Sequence, residues 1–283
     1  MNASGAAGLP TRFAKMSGAG NDFVMFLSRP TESATEAETI RRLCDRRRGI
    51  GADGVLFVRR EESGVVADYF NADGGAARFC ANGTRCAARL ASLGLGAGDD
   101  LVVRTGWGPI RALVGADGRV TLYLPEAVRP GRTLPTLGLG GGAIASDARE
   151  VLVGVPHLVV DVSDAASLEA LDLSLLGPRL RRHPEMPEGA NVNFVAMEGP
   201  SSLAVRTWER GVENETLACG SGVVASVAVS AFSGAVPPVR IRTRSGETLV
   251  VNFERTPDGI SEIRLEGDAR LLFEGEIRWE EWR

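Results

Sequence analysis

Cys219-Gly220-Ser221-Gly222-Val223-Val224-Ala225-Ser226-Val227-Ala228-Val229-Ser230-Ala231-Phe232 is the stretch on which the fold turns. No charged residue occurs from Cys219 to Val239. Apolar side chains fall on every side of a 3.6-residue period, and a helix that is apolar all round is enclosed by other structure. Ser221, Ser226, Ser230 and Ser233, the glycines and Pro237-Pro238 mark a buried helix followed by a turn, not a membrane span. A second stretch has the same character. Cys80 is followed by Asn82-Gly83 and then by Ala87, Ala88, Leu90, Ala91 and Leu93.

Working outward from the two cysteines, the chain is written twice. Arg104-Thr105 ends 25 residues after Cys80, and Arg242-Thr243 ends 24 after Cys219. Each half then reaches an Asp-Gly turn between alternating apolar segments, Asp117-Gly118 and Asp258-Gly259. In the other direction, the strand-like segments Asp53–Val58 and Asn191–Val195 begin 27 and 28 residues before their cysteines. Helical segments near Ala37–Arg47 and Ser167–Arg182 precede these, and apolar segments Phe23–Leu27 and Val151–Val162 come earlier still.

This order predicts an α+β fold of two similar, pseudo-symmetric domains. Each is a set of curved strands wrapped around a central buried helix, with the active site in the cleft between the domains. The domains are read as 1–125, which the last strand near 272–283 can rejoin, and 126–271. The linker is placed within Pro125–Arg149, rich in Gly, Pro and Thr.

Duplication puts Cys80 and Cys219 at equivalent places, each just before a helix N-terminus. Unpaired N–H groups there favour a thiolate and lower the thiol pKa. The same groups bind anions, and small residues let a ligand approach the backbone. An α-carboxylate held there is easier to enolise, because charge growing on it is stabilised. Two thiols on opposite faces of one carbon make a racemase or epimerase: one removes the α-proton and the other returns a proton to the far face. Cys44 and Cys86 read as small buried hydrophobes.

Composition narrows the field. Charged residues are 24% of the chain and apolar ones 44%, the balance of a soluble globular protein. A net charge of −4 disfavours nucleic acid and anionic membrane as partners. The basic run Arg41, Arg42, Arg46, Arg47 and Arg48 reads as a solvated helix face and end. Four cysteines with no CxxC pair and only two histidines, His157 and His183, match no metal site. Lys15 is the only lysine and lies near a flexible start, which argues against a pyridoxal-phosphate Schiff base. No cofactor is expected. No signal peptide is visible, Met1–Pro10 reads as a loose tail, and the expected compartment is the cytoplasm.

The motifs in combination resemble the diaminopimelate epimerase family over about Phe13 to Gly275. They are Phe13-Ala-Lys-Met-Ser-Gly-Ala-Gly-Asn-Asp-Phe23, Gly49-Ile-Gly-Ala-Asp-Gly54, Phe70-Asn-Ala-Asp-Gly74, Cys80-Ala-Asn-Gly-Thr-Arg-Cys86, Trp208-Glu-Arg-Gly211 and Ala218-Cys-Gly-Ser-Gly222. The resemblance implies a fold of paired similar domains and a cofactor-independent conversion of LL- to meso-diaminopimelate, for lysine and peptidoglycan precursor synthesis. It implies Cys80 and Cys219 as the acid–base pair. The backbone of Ala81, Asn82, Gly83, Gly220 and Ser221 would hold the α-carboxylate. Asn21, Asn71, Asn191, Glu209 and Arg210 would fix the ammonium and distal groups; singly these would read as turn asparagines and surface ion pairs. A homodimer is likewise implied.

The sequence departs from the family pattern at three places. Ala81 stands where the family usually has Gly, and Val155 stands where much of it has an Asn that helps bind the distal end. The loop Gly211–Thr216 is one residue longer than in some members. Val155 keeps open a related racemase acting on another amino acid. A cysteine hydrolase would need His157, in a turn after proline, or His183, at a basic helix end, as its base. A non-catalytic amino-acid-binding homologue is the third alternative.

Overall fold

The computed structural model describes residues 10–62, 64–139 and 142–282. The tail read from Met1 to Pro10 thus lies, up to residue 9, outside the described residues. The chain forms two compact units, Met1–Leu122 with Gly267–Arg283, and Tyr123–Glu266. Strands dominate both, and each unit carries one long buried helix.

In the first unit, strand Arg12–Gly18 turns through Ala19 and Gly20, both at positive φ, into strand Asn21–Phe26. The outer helix Ala37–Cys44 then crosses over to strand Gly54–Glu61, which runs parallel to Asn21–Phe26. Strand Gly64–Asn71 returns antiparallel, and the two-residue strand Ala76–Ala77 pairs with its end. Helix Ala81–Leu95 follows, and then strand Asp100–Thr105 lies parallel to Gly64–Asn71 and forms a hairpin with Gly108–Val114. Gly54–Val58 is buried on both faces, as a strand covered on both sides must be. Val55 and Phe57 pack with Ile40 and Leu43 of the outer helix, and with Phe26 and Trp279. Leu56 points the other way, into van der Waals reach of Gly83 on the inner helix.

The second unit repeats these pairings element for element. Strand Ile144–Val153 turns at Gly154, which is in the left-handed region, into Val155–Val162. Helices Ala165–Ala170 and Leu173–Arg181 cross over to Asn191–Gly199, parallel to Val155–Val162. Ser202–Glu209 returns antiparallel, and the short strand Asn214–Thr216 pairs with its end. Helix Gly220–Phe232 follows, and then Val239–Arg242 lies parallel to Ser202–Glu209 and antiparallel to Thr248–Thr256. Leu168, Leu173 and Leu180 of the outer helices pack on Leu158, Val160, Val192 and Phe194. Every residue of the inner helix from Gly220 to Ala231 is buried, so its apolar circumference is enclosed by strands.

The stretch within which the linker is expected, Pro125–Arg149, contains strand structure among the described residues. Pro130–Pro135 is a strand paired antiparallel with Ile144–Val153. Its counterpart in the first unit is Arg270–Glu276, antiparallel to Arg12–Gly18. Each unit therefore has the same edge strand, taken from opposite sides of the repeat in sequence. Residues 140 and 141 within that stretch lie outside the described residues. His157, read as a turn residue, lies in strand Val155–Val162, where the parallel ladder with Asn191 begins.

Candidate active site

Cys80 is the N-cap of helix Ala81–Leu95. Its extended backbone leads into the helix, and its Sγ accepts a hydrogen bond from Gly83 N at 3.4 Å. A capping side chain is normally an oxygen acceptor for the first-turn N–H groups. Here the acceptor is sulfur, and the arrangement favours its anionic form. Cys80 is half-buried, whereas Cys44 and Cys86 are buried. Burial raises the Cys44 thiol to about 12 and pushes Cys86 up as well, so neither is a thiolate near neutral pH.

Around Cys80 the side chains form a directed hydrogen-bond chain. Arg85 Nη2 donates to Asn82 Oδ1 at 2.7 Å, Asn82 Nδ2 donates to Asn21 Oδ1 at 2.5 Å, and Asn21 Nδ2 donates to Asp53 Oδ2 at 3.0 Å. Arg46 then ties Asp53 to Asp22, reaching Asp53 Oδ1 at 2.8 Å and forking onto Asp22 at 2.7 and 2.9 Å. Arg46 is thus more than the solvated end of a helix. Burial alone would raise the Asp22 carboxyl, but hydrogen bonds and charge from Arg46 and Lys15 outweigh it and hold the pKa low.

Lys15 is a buried strand residue, not part of a flexible start. Its ammonium pairs with Asp22 at 2.8 Å and donates to the Gly51 carbonyl. Asn71 ends strand Gly64–Asn71 beside this cluster. It opens the turn closed by Gly75, whose carbonyl accepts from Asn71 N, and the next residue, Ala72, donates to the Asp53 carbonyl at 3.1 Å. The first unit therefore gathers Asn21, Asn71, Cys80, Ala81, Asn82 and Gly83 at one end of its sheet.

Cys219 stands at the N-cap position of helix Gly220–Phe232 in the second unit, again with an extended backbone, but without the side-chain capping hydrogen bond that Cys80 makes. It is buried, and its Sγ lies 3.5 Å from Ser221 Oγ. Beneath the first turn is a buried polar group that sequence reading missed. Asn193 Oδ1 accepts from Thr207 Oγ1 at 3.0 Å, and its Nδ2 lies 3.1 Å from His157 Nδ1. Gly222 rests directly on the Asn193 amide, where a Cβ has no room. Asn191 precedes Asn193 by two residues and so projects from the same face of its strand; its Oδ1 accepts from Arg210 N at 2.8 Å. The Arg210 guanidinium donates to the Glu188 carbonyl at 3.0 Å. Glu209 ends strand Ser202–Glu209, immediately before Arg210.

Burial, with the Arg210 cation adding to it, drives His157 down to about 3. It is a neutral side chain bonded to Asn193. His183 Nε2 lies 3.0 Å from the Pro135 carbonyl, and its Nδ1 accepts from Glu185 N. His183 thus spends both ring nitrogens on structural groups, while His157 uses Nδ1 on Asn193 and its buried Nε2 is unpartnered among the described residues; neither ring is bonded to a cysteine, which weakens the case for a cysteine hydrolase.

The family model "Diaminopimelate epimerase" matches residues 13–129 and 150–271, which include Cys80 and Cys219. The chain belongs to the diaminopimelate epimerase family. Among its relatives, the diaminopimelate epimerase of Gemmatimonas aurantiaca is 37% identical, the match covering 94% of this chain and 98% of that protein. The one from Chlorobaculum tepidum is 38% identical over 93% and 99%, and the one from Aquifex aeolicus 35% over 94% and 97%. Solved structures with the same fold include a putative PhzC/PhzF phenazine biosynthesis protein from Clostridium difficile, with TM-score 0.69 and 12% identity. A probable proline racemase from Agrobacterium radiobacter has TM-score 0.68 and 14% identity. These two matches cover 94% of this chain and 99% and 92% of those chains.

Among the described residues, no three His, Cys, Asp or Glu side chains are grouped to hold a metal ion, and no helix is long and apolar enough to cross a membrane.

Proposed function

We propose that this chain is an isomerase that converts LL-diaminopimelate to meso-diaminopimelate by two-base proton transfer between Cys80 and Cys219, without a cofactor. One observation carries the reading: each unit of a member of this family sets one cysteine at the N-cap position of its buried helix. A thiolate removes the α-proton, so the C–H bond breaks and an S–H bond forms. The other thiol gives its proton to the opposite face of the same carbon and becomes the thiolate. In the reverse direction the roles exchange. Backbone N–H groups of Ala81 and Asn82, and of Gly220 and Ser221, stabilise the charge that grows on the α-carboxylate, while the Gly83 N–H holds the Cys80 sulfur beside it. Asn21, Asn71, Asn191, Glu209 and Arg210 hold the ammonium and distal groups. Lys15 is committed to Asp22, which supports chemistry that needs no Schiff-base lysine.

The same reading places the protein in lysine and peptidoglycan precursor synthesis, in the cytoplasm, where thiols stay reduced. It includes a homodimer, supported by the exposed run Leu271, Leu272 and Phe273 on strand Arg270–Glu276. Light scattering on the purified protein tests the dimer.

Incubating reduced protein with LL-diaminopimelate in deuterated water tests the reaction. Inversion accompanied by one deuterium at the inverted α-carbon is the expected result, undiminished by a chelator. Inversion without deuterium, or a metal requirement, sinks the two-thiol mechanism. Val155 favours a second reading, a racemase for another amino acid. This half-buried apolar residue opens strand Val155–Val162, two positions before His157, which pairs with Asn191. No inversion of LL-diaminopimelate, with turnover of another member of an amino-acid panel, selects that reading.

A further inference from the structure

Resting on the function just argued, we propose that Arg85 is a positioning residue for the amino-acid site: a buried permanent cation that fixes which way the Asn82 and Asn21 amides point and draws anions to the start of helix Ala81–Leu95. Arg85 is completely buried, and the three-residue spacing puts it on the same helix face as Asn82. Its Nη2 donates to Asn82 Oδ1 at 2.7 Å and its Nε to the Asp268 backbone carbonyl at 3.2 Å, while Nη1 is unpartnered among the described residues.

The Asp268 carboxylate is used elsewhere. It accepts from Ala19 N at 2.7 Å and pairs with Arg270 at 3.1 Å. The guanidinium is therefore hydrogen-bonded to neutral oxygens and not to a carboxylate of its own, which is costly for a buried charge. Burial pulls its pKa below the usual arginine value, yet an arginine remains charged in proteins.

The direction of the hydrogen-bond chain explains why a cation is kept there. Arg85 can only donate, and at the far end the Asp53 oxygens accept from Asn21 and Arg46. Asn82 and Asn21 lie between them, and each amide must present its oxygen toward Arg85 and its nitrogen toward Asp53. A flip of either would set donor against donor or acceptor against acceptor. The charge also lies within the first turns of the helix capped by Cys80, where N–H groups already favour anions, so the two fields add.

The test compares alkylation of Cys80 by anionic iodoacetate and neutral iodoacetamide at one pH, read by peptide mass spectrometry in a Cys219→Ser background. Their rate ratio cancels the thiolate fraction and reports attraction of an anion. The ratio should exceed that of free cysteine at least fivefold, fall to within twofold of it in Arg85→Met, and keep at least half its value in Arg85→Lys. A ratio no higher than free cysteine, or one unchanged in folded Arg85→Met, overturns the proposal. If Arg85→Met does not fold, Asn82→Asp decides. A carboxylate against Arg85 preserves the pair but cancels its field, so the ratio should fall at least fivefold, and an unchanged ratio overturns the proposal.

Turnover tests the orienting role. Arg85→Lys keeps the charge and loses the planar fork, so kcat should drop at least tenfold with KM changed less than threefold. An unchanged kcat overturns that role. Alkylation uses no substrate, so a protein inert toward LL-diaminopimelate sinks the function reading and leaves this one readable.

Discussion

His157 is pushed down to about 3 by burial and by the nearby Arg210 charge, from an unfolded value near ~6.5. A depressed folded pKa means that the unfolded chain takes up the proton first. The associated stability is fully present above about pH 6.5 and is lost as pH falls toward 3, at about 1.4 kcal/mol per pH unit. We expect urea unfolding to show a loss of about 2 kcal/mol from this group between pH 7 and 5. His157→Gln should remove that part of the decline, and an identical pH slope in the variant would count against the linkage. The charge state of His157 was not legible in the sequence, where Pro156-His157 looks like a turn. Pro156 is accommodated because it precedes the parallel ladder, which starts at His157. Asn193 was missed for a related reason. Only the alternation in Asn191-Val-Asn193 hints that both amides share a face, and its partners His157 and Thr207 come from other strands. The cysteines, by contrast, could be singled out because a local glycine-rich context recurs at both.

At the level of elements, the two buried helices were legible because continuous apolarity needs no knowledge of partners. They run Ala81–Leu95 and Gly220–Phe232, within a few residues of what the apolar runs suggest. The segment around Pro125–Arg149 was not legible. Its strand Pro130–Pro135 is mostly exposed, so no alternation marks it, and its identity comes from pairing with Ile144–Val153. Gly222 shows what the helix placement demands: its missing side chain lets the first turn rest on the Asn193 amide. Gly222→Ala adds a methyl where backbone and amide already touch, an overpacking that costs about 1–3 kcal/mol. Urea denaturation should show that loss. Turnover should fall further than stability, about 100-fold, because displacing a helix start by even ~1 Å moves the Cys219 thiol from its productive position. Wild-type activity in a destabilised Gly222→Ala protein would show that the thiol does not depend on this contact.

Across the whole molecule, the duplication extends beyond the cysteines to every pairing around them: hairpin, crossover, return strand, buried helix and edge strand recur in both units. If each unit contributes one base, removing either thiol should leave a one-sided catalyst. With a single thiol, a proton can be taken from one face of the α-carbon and returned only to that face. Its label exchanges with solvent because the S–H proton does, while configuration is retained. Cys80→Ala should therefore lose net epimerisation by about 10²–10⁴-fold, yet still exchange the α-proton of one stereoisomer in deuterated water. Cys219→Ala should lose epimerisation to the same degree and exchange the other stereoisomer. The pair of variants separates mechanisms that a loss of activity alone cannot. Exchange of the same stereoisomer by both would mean that the thiols do not serve opposite faces, and inversion within tenfold of wild type in either would mean that a base other than these cysteines completes the reaction.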